Sequence, residues 1–207
     1  MNRSHSRSNR SHRPPTGRAP TFLAIYLNDH LTGANGGVEM LRRAAEAHRG
    51  GTLGTSLESL AEQVAEDRES LHTLMADLDV PVMRTRAALG RLAERVGRLK
   101  LNGRILSRSP LSDVLELEAM RVGVEGKAAC WRSLRSLART DSRIDTSQLE
   151  ELIRRAEQQI RALEAMRSAC ASQLFAREAR GRAATPHAAQ AVWRRGGLHG
   201  LPGPSRS

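Results

Sequence analysis

The stretch FLAIYLNDHLTGANGGVEMLRRAAEAHR (residues 22–49) decides the fold of this chain, because its apolar and small residues recur every three or four positions. That spacing places them on one face of a helix. The face consists of Leu23, Leu27, His30, Leu31, Ala34, Val38, Leu41 and Ala45. Thr21 is suited to cap the helix. The NGG triplet at residues 35–37 is typical of a turn, so a break in the helix at 33–37 is the alternative. Because the apolar spacing keeps its phase, we predict one continuous helix in which the glycines let a neighbouring helix approach closely.

Four further segments show the same periodicity, and they predict an all-α protein. They are residues 55–78, starting at Thr55 or Ser56; a short helix at 82–99; 112–138, capped by Ser112; and 148–175. Short connections make the first and second helices one antiparallel hairpin, and the fourth and fifth another. We therefore predict a ferritin-like up-down-down-up four-helix bundle with an extra short crossover helix and disordered termini.

Three segments of the sequence support this fold: YLNDHLTGANGGVE (26–39), EDRESLHTLM (66–75) and GRLKLNGRILSRSPLSDVLELEAMRVGVEGK (97–127). In them the chain resembles an uncharacterised family of ferritin-like helical-bundle proteins from actinobacteria. The resemblance covers about residues 21–176. It implies a fold and no particular activity.

The net charge of +11 belongs to the ends of the chain. Residues 1–20 carry five arginines and no acid, residues 177–207 carry six arginines and one glutamate, and residues 21–176 are close to neutral. We predict a disordered basic leader at 1–20, a helical bundle at 21–176 and a disordered basic tail at 177–207. Weak nucleic-acid association is a second alternative function, through the tails only, as salt-sensitive binding without sequence preference.

Within the predicted bundle, acidic and basic residues are concentrated in two neighbouring segments. Residues 55–79 have a net charge of −6, whereas residues 80–110 have a net charge of +7. The two segments are expected to neutralise each other across a helix interface; the alternative is that the basic one binds an acidic partner.

The chain has no apolar run of the roughly 20 residues that a membrane span needs, so we expect a cytoplasmic protein with no membrane contact. Cys130 and Cys170 are predicted to lie about 20 Å apart along the second hairpin, beyond disulfide reach. They fit the interior as small buried side chains.

A ferritin-like fold raises the question of a di-iron site, which needs glutamates on two helices and Glu-x-x-His on two others. Glu69 and His72 have this spacing, but Glu69 is predicted to face solvent and His72 the boundary. The last helix has no histidine. A degenerate metal- or oxygen-handling site is the alternative function, with His30, Glu39, Glu69, His72, Glu118 and Glu125 as its candidate ligands.

Four polar residues are predicted to face the interior, His30, Asp67, Arg68 and Arg121, and Glu125 is predicted to lie at the edge of the inward face. Buried charges are costly unless paired, so we expect a network that joins Asp67 to Arg121, with Glu125 near Arg68 or Lys127. The alternative is a small pocket for an anion or metabolite.

The sequence contains no catalytic triad, Walker loop, dinucleotide fingerprint or paired zinc motif, and it predicts no cofactor. We therefore expect a non-catalytic ferritin-like bundle that acts as a structural or protein-interaction module. It would associate with itself through one hairpin or bind a protein partner.

Overall fold

The computed structural model describes residues 21–83 and 109–183, which form four α-helices. They are α1 (Phe22–Ala47), α2 (Thr52–Asp77), α3 (Pro110–Leu137) and α4 (Thr146–Ala183). These residues contain no β-strand, so the prediction of an all-α bundle is confirmed. The predicted crossover helix at 82–99 and the charge segment at 80–110 lie largely outside the described residues, as do most of both predicted tails.

The four helices pack as two hairpins, α1 with α2 and α3 with α4. Helices α1 and α3 also lie side by side and run in opposite directions. At one end the Tyr26 hydroxyl lies 3.2 Å from the Ser133 hydroxyl. At the other end His48 Nε2 lies 3.1 Å from Asp113 Oδ1. Contacts between α2 and α4 are sparse, so the order around the bundle is α2, α1, α3, α4.

Helix α1 is continuous through the glycines, as predicted. The Thr21 hydroxyl caps it by accepting a hydrogen bond from the Ala24 amide at 3.2 Å. Within residues 21–83 and 109–183, the predicted close approach of a neighbour is wrong at Gly33 and Gly37, because a Cβ atom at either position would meet nothing within 4 Å. Packing among the described residues therefore does not require glycine at these two positions.

We expect Gly33→Ala and Gly37→Ala each to raise the free energy of unfolding by up to about 1 kcal/mol, since alanine costs less backbone entropy in a helix. Urea denaturation followed by circular dichroism measures the change. A loss of stability in either variant would show that something contacts this face of α1 after all.

The close approach that does exist lies in the turn between α1 and α2. Helix α2 begins at Thr52 with Gly51 as its N-cap, so Thr55, one of the two predicted caps, lies inside the first turn. A Cβ atom on Gly54 would lie 2.2 Å from the His48 carbonyl oxygen. Gly50 has a φ of +83°, a left-handed conformation that side chains disfavour. The turn thus needs glycine at two positions for different reasons.

The second hairpin differs from its prediction at both ends. Ser109, and not Ser112, is the N-cap of α3, and Ser112 is its partner three residues later in a capping box. Pro110 occupies the first helical position, where its missing N–H costs nothing. Helix α4 continues to Ala183, so the predicted boundary between bundle and tail at residue 176 falls within a helix.

The core follows the predicted apolar faces over most of the bundle. All eight residues predicted for α2 are buried: Leu57, Leu60, Ala61, Val64, Leu71, Leu74, Met75 and Leu78. On α4 the last buried residue is Leu163, and Cys170 and Leu174 are only half-buried. The C-terminal part of α4 therefore contributes less to the core than its pattern predicts.

One buried amide fixes the chain after α2 against α1. The Asn28 side chain donates hydrogen bonds to the carbonyls of Ala24 at 2.8 Å and Pro81 at 3.0 Å. Its own carbonyl accepts one from the Met83 amide at 2.7 Å. The chain therefore leaves the first hairpin beside the N-terminal end of α1. Sequence analysis did not single out Asn28.

Candidate functional site

A buried charged cluster lies where α2, α3 and α4 meet. Its centre is the carboxylate of Asp67, the only fully buried charged side chain in the two described ranges. Oδ2 accepts hydrogen bonds from Lys127 Nζ and, at 3.0 Å, from Gln159 Nε2. Oδ1 forms an ion pair with Arg155. Lys127 also donates to the Gln159 side-chain carbonyl, so three helices are joined through one acidic group.

The cluster places two cations against one buried carboxylate. Burial lowers the pKa of Lys127, the attraction of Asp67 opposes that change, and the charge of Arg155 adds to it. Arg155 also reaches outward, with Nη1 3.3 Å from the exposed carboxylate of Glu66. Glu66 balances the second cation, so the four charged groups together are neutral.

The contact between Asp67 and Arg155 is electrostatic more than directional. Asp67 Oδ1 and Arg155 Nε are both buried and make no hydrogen bond of good geometry with the residues that the structure describes. Charge attraction is strong at such a site because surrounding protein screens it less than water does. The cluster therefore depends on charge balance as much as on hydrogen bonding.

The structure confirms that Asp67 faces inward but assigns it different partners. Arg121, its predicted partner, lies instead between Glu125 at 3.7 Å and Glu164 at 3.5 Å. The reason is position along the bundle: Arg121 precedes Lys127 by nearly two turns of α3, and Asp67 is level with Lys127. The predicted pairing of Asp67 with Arg121 is wrong.

Glu125, Arg68 and His30 also lie outside the cluster. Glu125 contacts Arg121, and neither Arg68 nor Lys127 is its partner in an ion pair within the described residues. Arg68 pairs with the adjacent Glu69 at 2.6 Å. His30 is half-buried, and its ring meets the Tyr26 ring edge-on with centroids 4.5 Å apart.

The six candidate metal ligands are not gathered at one place. Over residues 21–83 and 109–183, no three His, Cys, Asp or Glu side chains are positioned to share a metal ion. Glu39 and Glu69 are exposed, and Glu118 lies 3.7 Å from Arg167. His72 is half-buried at the boundary, as its helical phase predicts.

Sequence analysis missed Arg155 and Gln159, and it named Lys127 only as a neighbour for Glu125. A signal for Gln159 was present, because it lies three residues after Ala156 and four before Leu163, in phase with the buried face of α4. The sequence did not indicate Arg155 in this way, because Arg155 lies at the edge of the buried face of α4. Its long side chain reaches the cluster while 24% of the side chain stays exposed.

A second feature is a groove of about 450 Å³ where α4 extends past the turn between α1 and α2. His48 and Asp113 lie on one side, and Cys170 and Arg177 lie on the other. Burial, with a smaller effect of Asp113, raises the pKa of the Cys170 thiol. A raised pKa favours the unreactive thiol over the thiolate, so Cys170 is not an activated nucleophile.

Burial raises the pKa of the Cys130 thiol to about 12. Both cysteines are free, which confirms the prediction that they form no disulfide. Only Cys130 is fully buried, so the expectation of two buried thiols holds for that residue and not for Cys170.

The fold and the cluster together define this chain as an all-α bundle in which one buried carboxylate joins three helices. Within the described residues, no helix has the length and apolar character needed to cross a membrane. Comparison of the chain with protein-family models, curated proteins and solved structures finds no match in any of the three.

Proposed function

We propose that this chain is a non-catalytic helical bundle of the ferritin-like type that serves as a structural or protein-interaction module. The observation that carries the proposal is the Asp67 cluster, because its charged groups are engaged with one another across three helices. We infer that these charges hold the three helices in register.

The ferritin-like topology is supported by the directions of the helices. Helix α3 runs opposite to α1, so the 25 residues between Met83 and Ser109 connect opposite ends of the bundle. Asn28 holds the chain near one end of α1, and His48 marks the other end, about 30 Å away at the rise of a helix. A connection of this kind is the long crossover that distinguishes ferritin-like bundles from simple up-down-up-down ones.

The interaction role is supported by a row of exposed apolar side chains on α3: Leu111, Leu115 and Val122. Single exposed apolar residues are ordinary, but several on one face of a helix are a feature of protein-binding surfaces. The row lies on the face of α3 opposite its buried residues, so it is not part of the core.

The proposal is tested by replacing the cluster with apolar residues of similar size in the variant Asp67→Leu, Lys127→Met, Arg155→Met, Gln159→Leu. Apolar replacement of a whole buried ionic group is often neutral or stabilising. We expect the variant to unfold at the same or higher urea concentration and to keep the oligomeric state and protein contacts of the natural chain. A folded variant that loses those contacts would show that the cluster is itself a functional site.

The same purified proteins separate this function from the metal-handling alternative. Elemental analysis of the untagged natural chain is expected to give iron and manganese far below one ion per chain. A stoichiometric metal that disappears in the Glu125→Gln or His30→Ala variant would overturn the proposal.

A further inference from the structure

The inner face of α4 continues in phase beyond the last buried residue of that helix. Leu163 is fully buried, whereas Met166, Cys170 and Leu174, which follow on the same face, are only half-buried. All three line the groove of about 450 Å³ beside the turn between α1 and α2. The apolar face of α4 thus runs out of the core into a groove that the described residues leave open.

The opposite wall of this groove comes from the starts of two other helices. Leu53 lies in the first turn of α2 and Pro110 in the first turn of α3, and both add apolar surface. Arg177 is the last groove residue along α4. Pockets of this volume accommodate ligands larger than an indole ring. The groove therefore suits an aromatic side chain, whose face the Arg177 guanidinium can cover.

The chain that follows α4 carries such a side chain within reach. Helix α4 ends at Ala183, nine residues past Leu174, which is about 14 Å along the helix axis. Pro186 lacks the amide hydrogen that a continuing helix needs, so the sequence predicts a change of direction there. Trp193 comes ten residues after Ala183, an extended reach of about 33 Å. Trp193 can therefore return to the groove even when several of these residues form a turn.

We propose that residues 184–195 fold back along α4 and that the Trp193 indole fills the groove, against Met166, Cys170 and Leu174. Burial of a tryptophan removes about 150–250 Å² of aromatic surface from water, and it covers the apolar face of α4 at the same time. Attachment to the end of the same helix keeps the indole at an effective concentration on the order of millimolar.

Trp193 is favoured over other segments of this chain by its side chain. Residues 84–108 also end beside the groove, because Ser109 precedes the groove residue Pro110. Neither these residues nor residues 1–20 contain Phe, Tyr or Trp, whereas residues 184–207 contain Trp193. An occupant of the groove with a large aromatic side chain is therefore available only after α4.

Disulfide trapping on the full chain tests the proposal, because Cys170 lies in the groove and Cys130 is buried. Under mild oxidation a Val192→Cys chain is expected to form an intramolecular disulfide with Cys170 at least tenfold faster than the same chain that also carries Trp193→Ala. The two chains have the same thiols and the same loop length, so only docking of the indole separates them. Equal rates would overturn the proposal, and so would a disulfide that links two chains instead of closing one.

The reactivity of Cys170 gives a second measurement without an introduced thiol. Trp193→Ala is expected to raise the rate of maleimide labelling of Cys170 at least fivefold, because the indole no longer covers the sulfur. Trp193→Phe, which keeps an aromatic ring, is expected to label nearly as slowly as the natural chain, and Leu198→Ala is the control from the same segment. Mass spectrometry separates Cys170 from Cys130. An unchanged rate in Trp193→Ala would assign the groove to another occupant.

The groove side is tested by Leu174→Glu and Phe175→Glu, which place the same charge on neighbouring residues of α4. Leu174 lines the groove, whereas Phe175 is 55% exposed and does not line it. Trypsin cleavage after Arg194 is expected to be at least fivefold faster in Leu174→Glu than in the natural chain and unchanged in Phe175→Glu, because only the first variant releases the indole. Circular dichroism checks that both variants keep their helices. Equal cleavage rates in the two variants would contradict docking in the groove.

Discussion

Replacing Asp67 with asparagine is expected to lower the free energy of unfolding by about 3 kcal/mol, because it leaves two partly buried cations without their shared anion. Lys127 and Arg155 have side-chain exposures of only 14% and 24%, so water replaces the lost carboxylate poorly. Asparagine keeps the size of the side chain, so the loss reports charge and not volume. Urea denaturation at neutral pH measures it.

The matched control is Asp77→Asn, which makes the same chemical change at an exposed position of the same helix. It is expected to alter stability by no more than about 0.5 kcal/mol. Equal effects at Asp67 and Asp77 would show that the buried carboxylate does not hold the helices together.

A double-mutant cycle separates pairing from burial. Lys127→Met removes one of the two cations, so it is expected to destabilise the natural chain but to cost much less in the Asp67→Asn background. The coupling energy is expected to be about 1 to 3 kcal/mol. Arg155 keeps its contact with exposed Glu66 in both backgrounds. We therefore do not expect Lys127→Met to restore the full stability of the Asp67→Asn variant.

The second large effect is expected at Gly54. Gly54→Ala places a Cβ atom 2.2 Å from the His48 carbonyl oxygen and 2.7 Å from its carbon. Backbone atoms in a tight turn have little room to move, so we expect a loss of about 1 to 3 kcal/mol despite the better helix propensity of alanine.

Gly33→Ala is the natural control for this experiment because the substitution is identical and the environment is open. The two variants are expected to shift the unfolding midpoint in opposite directions. A stabilising Gly54→Ala would mean that the turn between α1 and α2 relaxes away from the contact with His48.

Several structural features could be predicted from the helical periodicity of the sequence. The phase of the apolar face predicted that α1 continues through residues 33–37, and the helix is continuous there. Every residue that this phase predicted to be buried on α2 is buried. Helical phase also placed Asp67 inside and Glu69 outside. These predictions succeeded because the direction of a side chain around a helix depends only on its position along that helix.

Two predictions of contacts between helices were wrong. Arg121 was assigned to Asp67 on phase alone, yet the two lie at different heights in the bundle. Composition alone predicts a close neighbour at Gly33 and Gly37, whereas among the glycines that the structure describes the close backbone contact lies at Gly54. Periodicity contains no information about how far one helix is shifted along another.

The sequence by itself determined that this protein is helical, which side of a helix faces the core and that Asp67 is buried. Each of these properties follows from a repeat within one segment of chain. Only the tertiary structure decided which cations meet Asp67, which glycine the turn requires and which apolar side chains of α3 are exposed. Those properties depend on the axial offset and contact of separate helices, which packing of the whole core fixes and no single segment encodes.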